Sequence, residues 1–460
     1  MLGRSHYQRA GLPPTLLVNR FMESAPTNLR DQVAILPRPG LTTLADVTDT
    51  VLNVYRQAGT LDDLIVVVTA NAIYSVNTMG QIVGTSPVVN ILGRPSITSG
   101  TAGVAYMTDG AQLLKLTIAA GETVITVTPV AFPDFASCSW VAFLNGYFLF
   151  GRAGTHRVYF LPPGETVIGA LDFFSAENAP DDLVGGNVVG DELWLGGEQT
   201  YEVWTATGNA DLPFQRQIGR VFDTGLAARD TALKVNNALM IVGWDRKVYR
   251  CEGSPTPVSD PSVEQALRGV AFNTLSAWQF TIEGHTFYCL TIPGVGTYAL
   301  DLVTGLWTVF RSYDMDTHRC QTSAPLGDGR WIAGDTLSGQ VFIVDPTTNT
   351  DDGEPLVREC MGAIATNAPM RCNNVVIEAT MGVGGDYEDD PTISLSVSDD
   401  DGATWDDWQA TSLGRLGDTR ALASWGPQDP MNRPGRLFRF RDSNDTYTVI
   451  RSAGFNESLR

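Results

Sequence analysis

Between residues 65 and 345 the chain repeats one pattern. An apolar strand is followed by a short Gly, Asn or Asp turn and a second apolar strand carrying an aromatic residue or leucine. Seven segments fit: IVVVTANAIYSV (65–76), VAYMTDGAQLLKL (104–116), GYFLFGRAGTHRVYF (146–160), DELWLGGEQTYEVW (191–204), ALMIVGWDRKVYR (238–250), TFYCLTIPGVGTYALD (286–301) and GRWIAGDTLSGQVFIVD (329–345). One anchor in each returning strand, Tyr74, Leu114, Tyr159, Tyr201, Tyr249, Tyr298 and Phe342, recurs at intervals of 40, 45, 42, 48, 49 and 44 residues. Four short strands with their turns fill that length, which is the content of one propeller blade. A hairpin alone is marginal in water, so neighbouring sheets must stack to bury both faces. The pattern predicts an all-β fold with a β-propeller of six or seven blades over residues 46–355. The number stays open because a distant strand could complete the first or last unit. An irregular β-sandwich with recurrent hairpins is the competing reading.

The flanks differ from the repeat. Residues 1–45 carry Pro13-Pro14, Pro26, Pro37 and Pro39-Gly40 with little periodicity, and they predict an extended N-terminal arm. Thr347 to Pro355 is acidic and reads as a linker. Beyond it NNVVIEATM (373–381), ISLSVS (393–398), RLFRFR (436–441) and TYTVIRSAGF (446–455) alternate like strands. Residues 356–460 are therefore expected to form a separate, β-sandwich-like C-terminal module. The best helical candidate, Asp260 to Ala271, is short.

Two features of the C-terminal module bear on function. SDDDGATW (398–405) follows a strand with Asp-Gly, which supplies the positive φ angles of a tight turn. Ser398, Asp400, Gly402 and Trp405 give it the spacing of an Asp-box, a structural hairpin motif of sialidases and many other β-proteins. A calcium loop fits less well, because counting from Asp399 the twelfth position holds Ala410 and no bidentate acid. In RLFRFR, alternation places Phe438 and Phe440 on one face and Arg439 and Arg441 on the other. This is either an edge strand guarded by charge or a face on which Arg436, Arg439 and Arg441 dock an acidic partner.

Composition narrows the chemistry. Lys and Arg number 31 against 51 Asp and Glu, a formal charge of −20, which argues against counterion-driven nucleic-acid binding on the outer surface. An acidic surface would let DNA slide past. The six cysteines are widely separated without a CxxC pair, predicting free thiols in a reducing compartment. His6, His156, His285 and His318 form no metal motif, and neither a GxSxG elbow nor a GxxxxGK[ST] loop is present. The acids at 386, 388–390 and 399–401 read as solvated loops rather than a calcium site. No catalytic, cofactor-binding or metal-ligating residue is assigned, and no cofactor is expected. The opening residues lack a signal-peptide core, and no apolar run is long enough to insert in a membrane.

Four stretches in order resemble the packaged-DNA stabilisation protein, or tail nozzle, family of short-tailed bacteriophages. They are LLVNRFMESAP (16–26) with LPRPGL (36–41); residues 198–231 with Glu202, Trp204, Gly208, Pro213-Phe214 and Gly225; residues 286–310 with Tyr298, Asp301 and Trp307; and SLSVSDDDGATW with GRLFRFR. The resemblance implies a non-enzymatic virion protein, made in the host cytoplasm, whose propeller subunits form a six-fold ring. That ring sits below the portal adaptor protein, near tailspike or fibre and needle or tip proteins. It would retain packaged DNA and pass it through its lumen without sequence-specific binding. The alternative is a glycan-acting propeller enzyme, sialidase-like or a depolymerase. Such sialidases carry several Asp-boxes at blade turns, whereas this chain has one, outside the repeat.

Overall fold

The computed structural model describes every residue except 1, 4, 8–14, 25–32, 89, 101–102, 133–136, 178, 211, 383–389, 419–421 and 457–460. Its central region is a β-propeller of seven four-stranded sheets, arranged by local hairpins. The strands nearest the axis are Asn53–Tyr55, Ser96–Ser99, Cys138–Leu144, Leu183–Val189, Leu233–Val235, Ser276–Ile282 and Cys320–Pro325. All seven anchors fall in the third strand of their blades, from Tyr74 in Ala72–Val76 to Phe342 in Gln340–Asp345.

Seven hydrophobic clusters among the described residues explain why the sheets close into a ring. Each lies between two successive blades, including one between the seventh and the first. The strand Ile65–Val68 illustrates the division. Ile65 and Val67 pack toward the seventh blade, while Val66 and Val68 pack toward the second. A strand buried on both faces must be apolar at every position, which is why this one reads as an unbroken run. Fully burying one such side chain is worth roughly 1.5–3 kcal/mol, so a blade without both neighbours would lose most of its stabilisation.

The seventh blade is completed from the far end of the chain. Gly40–Asp46 lies antiparallel to Gln340–Asp345 as its outer strand. Val47 N–H donates to the Gly339 carbonyl at 2.8 Å, and a Cβ on Gly339 would lie 1.4 Å from the Val47 oxygen. Only glycine permits that approach. The expected division at residue 45 thus falls inside a propeller strand.

The described remainder of the N-terminal segment packs onto the fold, largely as strand. Leu17–Val18 pairs in parallel with Val309 of the sixth blade and antiparallel with Glu359 and Cys360 of the C-terminal module. One sheet therefore runs from the sixth blade into the second domain. Arg20–Ser24 pairs with Val33–Pro37, which meets Ile450–Phe455. The C-terminal module is a β-sandwich, and its core includes Leu17 and Ile35 beside Ile377, Leu395, Phe438 and Phe440.

Two further expectations change. The linker reading fails at Asp351, which is buried, and its backbone pairs with Leu41. The helix is confined to Pro261–Ala266, with Asp260 accepting from the Ser262 and Val263 N–H groups and proline at the first turn.

Candidate functional site

RLFRFR lies within the strand Gly435–Asp442, between Arg358–Ala365 and Thr392–Ser398. It is an interior strand of the sandwich, so the edge-strand reading does not apply. Arg436 shares the parity of Phe438 and Phe440 and is 3% exposed. Its Nε and Nη2 form a fork on Asp399, both at 2.6 Å, and Nη1 donates to the Asp429 carbonyl at 2.9 Å. Arg436 is therefore removed from the expected docking face: its donors are satisfied inside the chain.

Arg439 and Arg441 behave differently. Trp405 and Trp408 lie 4.3 and 4.6 Å from the Arg439 guanidinium carbon, and Arg441 lies 5.6 Å over Trp408. These are cation–π contacts, which attract the charge without requiring a hydrogen-bond acceptor. Arg441 also stands 3.8 Å from Glu359 on the neighbouring strand.

The Asp-box turn and the arginine strand, separate in the sequence, meet here. Ser398 Oγ donates to Asp400 and accepts from Gly402 N–H at 2.9 Å. Asp400 accepts from the Thr404 N–H at 2.8 Å and its hydroxyl at 2.6 Å. Those bonds hold the Asp400 carboxyl down at about 2. Trp405 Nε1 donates to the Gly402 carbonyl, so the turn fixes the indole that covers Arg439. Asp399, from the same turn, supplies the fork on Arg436. Asp390 accepts from Ser412, while residues 386, 388 and 389 lie outside the described residues. Among the described residues no cluster of three His, Cys, Asp or Glu side chains has metal-binding geometry.

Arg441 and Arg439 each line a cavity. One, of about 430 Å³, is lined by Asn19, Arg311, Tyr313, Glu359 and Arg441. The other, of about 160 Å³, is lined by His6, Leu16, Met361, Trp405 and Arg439.

Buried ion pairs join the N-terminal segment to strands distant in sequence. Asp442 is shared by Arg20 and Arg358, the second at 2.7 Å, and all three are essentially inaccessible. The two guanidinium groups also donate to the carbonyls of Thr448, Thr446 and Asn444. Arg38 forms a fork on Asp351 at 2.9 and 2.6 Å and donates Nε to Asn19 at 2.8 Å. Asn19 in turn donates to the Arg311 and Val357 carbonyls. The signal was an arginine inside the apolar run LLVNRFM, since a cation flanked by core residues requires a buried partner.

Tryptophans are mostly core. Trp140, Trp194 and Trp278 are fully buried, and Trp244 alone exceeds half exposure. All six cysteines are buried free thiols. His285 begins a strand beyond the turn and meets Asp301 at 2.8 Å, an interaction that raises its pKa.

At the propeller axis two arginines cross between blades. Arg94, ahead of the second blade, donates to the Ala277 carbonyl in the sixth at 2.7 Å. Arg229, ahead of the fifth, donates to Ser139 in the third at 2.8 Å and to the Arg94 carbonyl. They line an axial cavity of about 250 Å³ with Trp140, Asn187 and Asp230.

The family model for the bacteriophage P22 Gp10 β-propeller matches residues 2–349, and that for the P22 Gp10 β-sandwich matches residues 358–455. The chain belongs to the bacteriophage P22 Gp10 family. It is accordingly a structural protein of a phage tail, a virion component matching the tail nozzle and packaged-DNA stabilisation proteins. A search of curated proteins finds no match. Among solved structures, the β-propeller domain of Myceliophteria thermophila Cps50 (Swd1) is 11% identical with a TM-score of 0.45, covering 66% of this chain and 98% of that one. The WD40 propeller domain of Doa1 is 13% identical at 0.42, covering 66% and 96%. The extracellular domain of BT4673 from B. thetaiotaomicron is 10% identical at 0.45, covering 83% and 48%. Likeness at these scores carries no functional weight. Membership in the P22 Gp10 family rests on the two domain models.

Proposed function

We propose that six copies of this chain form the nozzle below the portal–adaptor complex of a short phage tail, where the ring retains packaged DNA and conducts it during ejection. The supporting observation is the crossed propeller axis. With Arg94 and Arg229 tying non-adjacent blades together across the axis, the axis serves as a brace, and a conduit for DNA lies between copies. The net charge of −20 supports the same reading. Phosphates passing an acidic wall find few cations on which counterion release could anchor them. The continuous sheet from the sixth blade through Leu17–Val18 into the sandwich gives each copy a stiff wall. In this reading the adaptor, the tailspikes or fibres and the needle or tip contact the wall from outside.

The test is the mass of the purified chain in solution with and without the adaptor ring, followed by imaging of the assembled tail. A six-fold ring with Asp and Glu outnumbering Lys and Arg on its lumen is expected. A chain that stays monomeric with the adaptor present, or a lumen lined by Lys and Arg, overturns the proposal.

A further inference from the structure

The cavity of about 160 Å³ beside Arg439 has an unusual polar inventory. Arg439 carries five N–H donors, yet its contacts are the indoles of Trp405 and Trp408. Its Nε is buried without a hydrogen-bond partner. His6, which lines the same cavity, is 5% exposed, and its Nδ1 is likewise buried and unpartnered. Its backbone N–H is fixed to the Trp307 carbonyl at 2.8 Å and its ring stands edge-on to Tyr298 at 5.8 Å. Leaving a buried donor unpaired is costly, and more so when it is charged. Two such groups on one small cavity are explained economically by a ligand that accepts from Arg439 Nε and, with His6 as its Nδ1–H tautomer, from His6.

We infer that this cavity is a carboxylate-binding site, and that an acidic side chain of a neighbouring tail protein fills it. Arg439 supplies the cation, Trp405 and Trp408 hold it in place, and His6 presents its ring nitrogen from the N-terminal segment. The remaining wall, Thr15, Leu16, Met361 and Gly402, is small and largely apolar, suited to the methylene stem of a glutamate and too tight for a nucleotide. A guanidinium presents its N–H donors as a fork that matches a carboxylate, and cation–π contacts leave that fork free. Arg436, three residues back on the other face of the strand, already holds Asp399 in this manner within the chain. Glu359 lies on the Arg441 side of the face and leaves Arg439 without a hydrogen-bonded acid of its own. The site does not depend on six-fold ring formation, so it can be tested on the isolated chain.

The experiment is a titration of the full-length protein followed by tryptophan fluorescence at constant ionic strength. Sodium propionate serves as the side-chain mimic and a short glutamate-containing peptide as the partner mimic, with sodium chloride and inorganic phosphate as comparisons. A saturable change with propionate and tighter binding of the peptide are expected. In Arg439→Gln both should weaken by at least about tenfold, while Arg415→Gln, at an exposed position, should match the parent. Arg439→Lys keeps the charge without the fork and should also weaken binding, which preserves the test should the glutamine variant fail to fold. The inference is overturned by an equal response to chloride, by phosphate outcompeting propionate, or by unchanged binding in either Arg439 variant.

Discussion

The propeller and the sandwich are both antiparallel β-structure, but the chain builds them in opposite ways. Six of the seven blades take their strands consecutively from the sequence, and apolar contacts between neighbouring sheets do the rest. The sandwich is assembled from both ends of the chain. Its sheets interleave Leu17–Val18, Arg20–Ser24 and Val33–Pro37 with strands beyond residue 357. Where strands are distant in sequence, buried ions appear: Arg20 and Arg358 on Asp442, and Arg38 on Asp351. Apolar packing tolerates many partners, whereas a buried charge tolerates very few. Such ions add little net stability over well-packed apolar residues, but removing one partner is severe. We read them as devices that make the long-range pairing specific.

The largest expected effect follows directly. Asp442→Ala leaves two buried guanidinium groups without their anion and should cost about 3–5 kcal/mol, read from urea unfolding. Hydrogen exchange should rise at residues 17–24 and 436–450 and stay unchanged in the first four blades. A uniform rise across the blades would erase the distinction between the two regions.

Acid should strike the same junction next. His6 and His318 are held down to about 4 and about 3, chiefly by burial and then by Arg311 and Arg38 respectively. Both lie below the ordinary value of 6.5, so the unfolded chain takes up protons first as the pH drops. The stabilisation is complete above about pH 6.5 and is lost as the pH falls toward the folded values, amounting to about 2 kcal/mol per histidine by pH 5. His318→Asn should flatten this slope between pH 7 and 5; an unaltered slope would count against the assignment.

At the axis, Arg229→Met removes donors to Ser139 and Arg94 while keeping much of the side-chain volume. About 1–2 kcal/mol should be lost, with the sandwich unaffected in exchange measurements. The smallest effect belongs to the exposed turn. The Asp400 carboxyl, held at about 2 by Thr404 and Ser398, contributes fully above about pH 4. That contribution is lost only as the pH falls through about 2, so Asp400→Ala should lower the unfolding midpoint slightly, and by the same amount at every pH between 5 and 8. It should also loosen Trp405 from Arg439, visible as a shift in tryptophan emission.

Legibility in the sequence follows the same divide. The blades could be read because each hairpin is local and its alternation survives in a short window, so anchors such as Tyr159 and Tyr201 fall in equivalent strands. The Asp-box residues could be read for the same reason, since all their bonds close within eight positions. The strand pairing Gly40–Asp46 with Gln340–Asp345 could not, because nothing in either segment names the other. Arg436 was misjudged because alternation gives parity but not the location of Asp399. Asp351 looked like solvated acid in a polar stretch, and only the approach of Arg38 makes it core.

The closure of the seventh blade carries a consequence for synthesis. The residues that finish this sheet leave the ribosome before any blade exists, and their partner Gln340–Asp345 is the last propeller strand to emerge. Until then the nascent circle stays open, with two unsatisfied edges. Completion of the disc therefore waits until residue 345 has been made, and a copy truncated before that strand would lack the latch.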